Sequence, residues 1–321
     1  MPPRKFSRKF VLTAICIVSA TVFSLCLAWL ANGFFLQPLA SDRSMRELKT
    51  LADAVPSGQG DAGVGGQKTQ QQPQNILPGL KSLQKVNPDI AAWITVPNAD
   101  ISLPVLQAHP ADPDFYLDHD YSGKYSFYGS VYADWRSPVV DSDVRCMIFY
   151  GHSLLSGRMF TRLDRYKSLD FYKSAPVFSL ETSNGLSKWQ VFSVFVTNTL
   201  PQQGKPFQYQ KTSFANDSDF LNFVYQLRIR SLYNTGVSFN AEDKVLLLST
   251  CSYEFEDFRE VVAARKVRMG ESDSAAPEKA SYNPKVLYPD CWYQKYGGEK
   301  PNWPATYEEA SKEGALTWKE S

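Results

Sequence analysis

The chain has 321 residues, 43% of them apolar and 14% aromatic, enough to build a sizeable core. Its 34 Lys and Arg against 33 Asp and Glu leave a net charge of +1, which excludes the basic field that nucleic-acid binding requires, so no nucleic acid partner is expected. Five cysteines without a Cys-x-x-Cys spacing argue against a disulfide framework and a zinc site, and no acidic cluster calls for another metal.

Arg4, Lys5, Arg8 and Lys9 precede an apolar stretch from Phe10 to Ala31. As a helix rising ~1.5 Å per residue, that stretch spans a hydrocarbon core of ~30 Å. The reading is a basic cytoplasmic segment over 1–9 and a single-pass membrane anchor over 10–31, with everything beyond it outside the cell membrane. A cleaved secretory signal is the alternative, but the run exceeds the usual ~7–15 residue apolar region and no Ala-x-Ala site follows. Cys16 and Cys26 follow Ile15 and Leu25, where a lipoprotein signal wants a small residue, so both are read as ordinary helix residues. Met45, Leu48, Leu51, Ala52 and Val55 then recur at helical spacing within Asp42–Val55, and Pro56–Gln74 is Gly- and Gln-rich with little to bury. Residues 32–77 are therefore read as an extracellular helix and a flexible linker.

From 78 to 270 the pattern is short β-rich runs between turn residues: Ala91–Val96, Ile101–Gln107, Ser130–Ala133, Val144–Tyr150, Val177–Glu181, Trp189–Thr199, Lys244–Thr250 and Glu260–Val267. Eight such runs predict a closed or nearly closed barrel, mainly β with helices. One strong helix interrupts them, capped by Asp217 or Ser218, with Phe220, Phe223, Val224 and Leu227 on one face. The tail over 271–321 is rich in Pro, Tyr, Trp, Glu and Lys without apolar periodicity. It reads as a poorly ordered extension that packs some aromatics on the barrel.

Cys251 ends the run Val245-Leu246-Leu247-Leu248-Ser249-Thr250, and a thiol at a strand end near a cation is a candidate nucleophile. Cleaving an amide also needs an acid for the departing amine and a donor for the developing oxyanion. His152, at the end of Val144–Tyr150, is the candidate acid, in competition with His109 and His119. Arg259, eight residues past the cysteine at the start of the next strand, folds back beside Cys251 and is the candidate donor, in competition with Arg265 and Arg268. Glu254, Glu256 and Asp257 leave open that Arg259 is merely half of an ion pair. Cys251 itself has the plainer reading of a buried core thiol, which Cys146 also has; a Cys146–Cys291 bridge stays open. Ser249 and Thr250 are expected to line the floor of a substrate groove.

Tyr150-Gly151-His152, Leu248-Ser249-Thr250-Cys251 and Arg259, in that order, resemble the sortases, and most of all class B. Supporting pieces are Asn87-Pro88-Asp89-Ile90-Ala91-Ala92-Trp93-Ile94, Leu103-Pro104-Val105-Leu106-Gln107, Tyr116-Leu117, Gly129-Ser130-Val131-Tyr132-Ala133-Asp134, Met159-Phe160 and Cys251-Ser252-Tyr253-Glu254-Phe255. The resemblance covers about 78–270 and rests on the motifs jointly. It implies an eight-stranded sortase-like barrel with N-terminal helices and a long helix before the strand of the catalytic cysteine. It also implies a membrane-anchored cysteine transpeptidase, with Cys251 as nucleophile, His152 as acid and base, and Arg259 as oxyanion donor, a chemistry that requires no cofactor and no metal. Partners would be surface proteins bearing a threonine-containing C-terminal sorting signal and the amine of a lipid II-like peptidoglycan precursor. The specificity loop would be Leu200–Phe214, with Tyr209 among its pocket-shaping residues. No acidic residue directly follows the cysteine, so a dyad plus arginine is expected rather than a triad. Two rival classes are a cysteine hydrolase of the cell envelope, disfavoured because His152 precedes Cys251, and a sortase-like binding module that has lost its chemistry.

Overall fold

A computed structural model describes residues 8–32, 37–53, 78–141, 143–154, 156–272 and 276–318. Two compact units divide the chain, one ending at Thr50 and the other beginning at Leu51. In the first, α1 (Arg8–Ala31) is apolar, and its exposed part Leu12–Ala31 is long and apolar enough to cross a membrane. It is followed by α2 (Gln37–Asp53), which starts five residues before the predicted amphipathic segment. The first basic residues, Arg4 and Lys5, and the Pro56–Gln74 linker lie outside the described residues.

The second unit opens with α3 (Pro78–Val86), whose proline occupies the first helical position, where its missing N–H costs nothing. Strands β1 (Ile90–Val96), β2 (Ile101–Gln107), β3 (Val131–Ala133), β4 (Cys146–Tyr150), β5 (Val177–Thr182) and β6 (Gly185–Thr197) follow, with short α4 (Leu169–Ser174) between β4 and β5. Helix α5 (Asp217–Ile229) and the two-residue β7 (Tyr233–Asn234) then lead to β8 (Val245–Ser252) and β9 (Phe258–Lys266). Eight strands close a barrel in the order β1-β2-β3-β4-β8-β9-β6-β5, parallel at β2–β3 and β4–β8 and antiparallel elsewhere. The eight predicted runs are these eight strands, with ends displaced by a few residues.

Both faces of the wall around β8 are covered, which is why its apolar run is unbroken rather than alternating. Leu246 and Leu248 join Ile94, Val105, Phe149, Leu180 and Val262 in the interior cluster, to which all eight strands contribute. Val245 and Leu247 face the other way, into a second cluster with Ile148, Phe195, Val261 and the α5 residues Phe220, Phe223, Val224 and Leu227. The parity continues to the strand's end. Ser249 and Cys251 therefore belong to the outer wall, and Thr250 and Ser252 to the interior side.

Helix α5 is capped by Asn216, whose side-chain oxygen accepts the Asp219 amide at 2.9 Å, not by Asp217 or Ser218. Asp217 instead lies in the first turn with Asp219, where the helix dipole favours negative charge. Asn216→Ala should cost about 1 kcal/mol, seen as a lower urea midpoint with an unchanged slope.

The expectation of a poorly ordered tail does not survive. Residues 276–318 carry β10 (Ser281–Tyr282), paired with β7, and the short helices α6 (Asp290–Tyr296) and α7 (Tyr307–Lys312). Helix α7 lies against α5: Tyr225 donates to the Pro304 carbonyl at 2.8 Å, Ser218 to Glu308 at 2.6 Å, and Ala310 and Trp318 are buried in the α5 cluster. Lys295 of α6 donates to the Glu254 carbonyl at 3.2 Å, and Trp292 packs near Phe255. Single aromatic anchors on an irregular backbone hold this segment, so it has no period for a sequence pattern to display. Cys146 and Cys291 are both buried and unbridged.

Candidate active site

The β8–β9 hairpin sets Cys251 directly opposite Arg259 in antiparallel register. Directly opposed residues share a face, so thiol and guanidinium stand side by side on the outer wall. The neighbouring β4 pairs in parallel with β8, Tyr150 opposite Ser249, and Gly151 and His152 follow directly on its end. Cys251, His152 and Arg259 all line one cleft of about 430 Å³, together with Ser249, Thr250 and Tyr209.

Local packing explains the Tyr-Gly-His sequence. A Cβ on Gly151 would stand 2.8 Å from the Phe160 ring, so only glycine lets that buried phenylalanine support the strand end. The Gly151 carbonyl accepts the Thr250 hydroxyl at 2.8 Å, tying the histidine's strand to the cysteine's. His152 donates from Nε2 to the Leu117 carbonyl at 2.7 Å, leaving Nδ1 as the ring's open nitrogen among the described residues. Its orienting partner is thus a backbone carbonyl, not a carboxylate.

Leu117 is itself secured from two sides. Gly129, in the left-handed region at φ 55°, lets the 126–130 turn approach, and the Ser130 amide donates to the Tyr116 carbonyl at 2.9 Å. The turn after α3 holds the other side: Tyr116 donates to Asp89 at 2.6 Å, and Asn87 donates to the Tyr116 hydroxyl at 3.1 Å and to the Tyr121 carbonyl at 2.7 Å. Burial first, then Asp89, raises the Tyr116 hydroxyl's pKa, so it remains a proton donor.

The competing candidates have other duties. His109 pairs with Asp89 at 2.8 Å, and His119 stacks on Phe115 while meeting Asp118 at 2.7 Å; neither lines the cleft. Arg265 is fully buried against Glu271 and Gln190, and Arg268 is paired with Asp243. Arg259 makes no carboxylate pair among the described residues and donates instead to the carbonyls of Asp257 and Phe258 at 3.2 and 3.1 Å. The Ser249 hydroxyl is engaged with Tyr209 at 2.9 Å and the Thr250 hydroxyl donates to Gly151, so both shape the floor. Burial raises the Tyr209 pKa.

Two groups escaped the sequence reading. At the far end of the cleft, Arg136 grips Asp134 through two side-chain bonds of 2.9 and 2.6 Å, and Tyr150 donates to the same carboxylate at 2.9 Å. Burial alone would raise the Asp134 pKa; the hydrogen bonds from Arg136 and Tyr150 outweigh it and hold it below the usual range. Asp134 stood in the sequence as the end of the Gly129–Asp134 run with no role attached, and nothing there tied it to Arg136 beyond the Asp-x-Arg spacing.

Behind Cys251 and Arg259, on the interior side, Lys167 reaches Ser252 at 3.0 Å, Glu254 at 2.5 Å and Glu260 at 3.4 Å. Glu260 is buried, and that burial lifts its pKa from 4.5 to about 7 despite Lys167. Since the folded value lies above the unfolded one, its contribution to stability is complete below pH 4.5 and is lost as the pH rises through about 7. Glu260→Gln removes this titration while Lys167 keeps Glu254. The variant should therefore gain stability relative to the native chain between pH 5 and pH 8 in urea denaturation; an offset independent of pH would refute the assignment.

Among the described residues no cluster of three or more His, Cys, Asp or Glu could hold a metal ion. No family model matches the chain. It is 33% identical over 192 residues to sortase B of Listeria monocytogenes, covering 59% of this chain and 74% of that protein. Sortase B of Clostridium perfringens superposes with a TM-score of 0.54 at 30% identity, covering 59% of this chain and 99% of that one. The Staphylococcus aureus sortase B–substrate complex gives a TM-score of 0.60 at 26% identity, covering 73% and 100%.

Proposed function

Because the chain belongs to the sortase B family of cysteine transpeptidases, we propose that Cys251, His152 and Arg259 perform its reaction on a threonine-containing sorting signal. The Cys251 thiol passes its proton to His152 and its sulfur attacks the threonine carbonyl carbon, forming a C–S bond. As the tetrahedral intermediate collapses the C–N bond breaks, His152 delivers a proton to the departing amine, and a thioester remains. A second amine, from a lipid II-like peptidoglycan precursor, attacks the thioester carbon. His152 takes its proton, the C–S bond breaks, and a new amide joins the surface protein to the precursor. Arg259 donates to the oxyanion at both tetrahedral stages.

The observation that carries this reading is the shared cleft: an outward thiol, the guanidinium directly opposite it, and the imidazole at the adjacent strand end. Helix α1 serves as the membrane anchor, its basic flank cytoplasmic and the barrel outside, where both substrates are displayed. The full chain in detergent micelles should cleave sorting-signal peptides and, given an amine acceptor, form a transfer product visible by mass spectrometry. Hydrolysis product alone whatever the acceptor would instead indicate a peptidase, and no reaction across a broad peptide library a binding module.

A further inference from the structure

A second cavity of about 180 Å³ lies beyond the cleft, between the end of β6, the loop that follows it, and the segment 287–300. That volume equals roughly six waters at ~30 Å³ each, enough for a small organic acid. One of its walls is Arg230, which packs over the Phe207 ring at 4.1 Å and donates from Nη1 to the Gln226 carbonyl and side chain, both at 2.8 Å. Burial lowers the Arg230 pKa to about 10. No carboxylate pairs with it among the described residues, and Nε and Nη2 have no partner there. The one carboxylate lining the cavity, Asp290, is held by Lys300 at 2.6 Å and makes no pair with Arg230, so this partly buried guanidinium lacks the anion that normally offsets desolvation. The rim adds Lys205, which is exposed, and Lys300, which Asp290 already neutralises at 2.6 Å.

The cavity's position ties it to the cleft. Cys251 is opposite Arg259 across β8–β9, and Arg259 is opposite Thr197 across β9–β6, so the three form one row on the outer wall. Thr197 lines the second cavity. Two strand spacings of ~4.8 Å put it about 10 Å from Cys251, a span that three extended residues at ~3.3 Å each would cover.

We propose that this cavity is a carboxylate-binding subsite, in which the open edge of Arg230 forks a carboxylate carried by a peptide substrate about three residues from the reacting bond, with Lys205 as the second charge. The fork matches a planar carboxylate, and Phe207, Leu287 and Tyr288 would pack the apolar part of that residue. The identity of the carrier rests on the transpeptidase reading; the binding site does not.

The test is calorimetry on the full-length Cys251→Ala chain in micelles, with N-acetylalanine, its uncharged amide and inorganic phosphate as probes. N-acetylalanine should bind saturably and the amide should not. Arg230→Gln should weaken binding at least tenfold and Lys205→Gln severalfold, the latter at an exposed position where folding is not at risk. Binding of phosphate as tight as that of N-acetylalanine would overturn the carboxylate assignment, as would absence of saturable binding or equal affinity in both variants. A chain with Cys251 intact that transfers peptides yet binds no carboxylate would sink the subsite and leave the proposed function standing. Carboxylate binding without any transfer would do the reverse.

Discussion

Cys251→Ala should abolish both cleavage and transfer of a sorting-signal peptide, while Arg259→Gln should leave transfer detectable but lower by about 10²–10³-fold. The difference follows from the two roles. Without the sulfur there is no acyl-enzyme, so no residual route reaches the amine acceptor. Without the guanidinium the thioester still forms, but the oxyanion loses a charged donor that acts at both tetrahedral stages. Because that donor matters most where charge has developed, kcat and kcat/KM should fall together with little change in KM. Neither change should disturb folding, since both side chains are only partly buried and stand on the outer wall, clear of the interior cluster. Mass spectrometry of the peptide products, with circular dichroism as the fold control, measures both. Transfer by the alanine variant, or an Arg259→Gln variant that loses only KM, would remove the roles proposed for these residues.

Legibility in the sequence followed the range of the interaction. Strand positions were readable because burial on both faces of β8 and its neighbours leaves continuous apolar runs, and turn residues mark where these stop. Arg259 was readable because a hairpin of known length returns the chain beside its start, which needs no tertiary information. The cap of α5 was missed by one residue, since Asn216, Asp217 and Ser218 are all competent caps and only backbone geometry chooses among them. What secures His152 was invisible: its partner is a backbone carbonyl 35 positions away, and a carbonyl has no residue identity to leave in a sequence. The Lys167–Glu260 contact was hidden for a related reason. It joins a 3-10 segment (Thr161–Lys167) to a strand nearly a hundred residues later, and each residue alone reads as a solvated charge. The tail was misjudged because aromatic anchors spaced irregularly resemble the composition of a disordered extension.

The longest of these hidden chains of support yields the second large effect, at Gly129. The backbone there has φ 55°, and a Cβ would collide with the carbonyl of Leu117, the group that accepts the His152 hydrogen bond. Gly129→Ala therefore incurs the left-handed cost of about 1–2 kcal/mol and must also displace a backbone segment held by Ser130, Asp89 and Asn87. Together these should lower stability by about 3 kcal/mol. The imidazole would follow the Leu117 carbonyl, and a displacement on the order of 1 Å at an acid–base group should cost about 10²-fold in transfer. Gly123 supplies the control. It lies in the same loop region at φ 76° with open space around its missing Cβ, so Gly123→Ala carries the conformational cost without the collision. That variant should lose about 1 kcal/mol and keep its rate. If the two alanines reduce transfer equally once corrected for the folded fraction, the Leu117 carbonyl does not position His152, and the support drawn from α3 through Tyr116 to the imidazole fails with it.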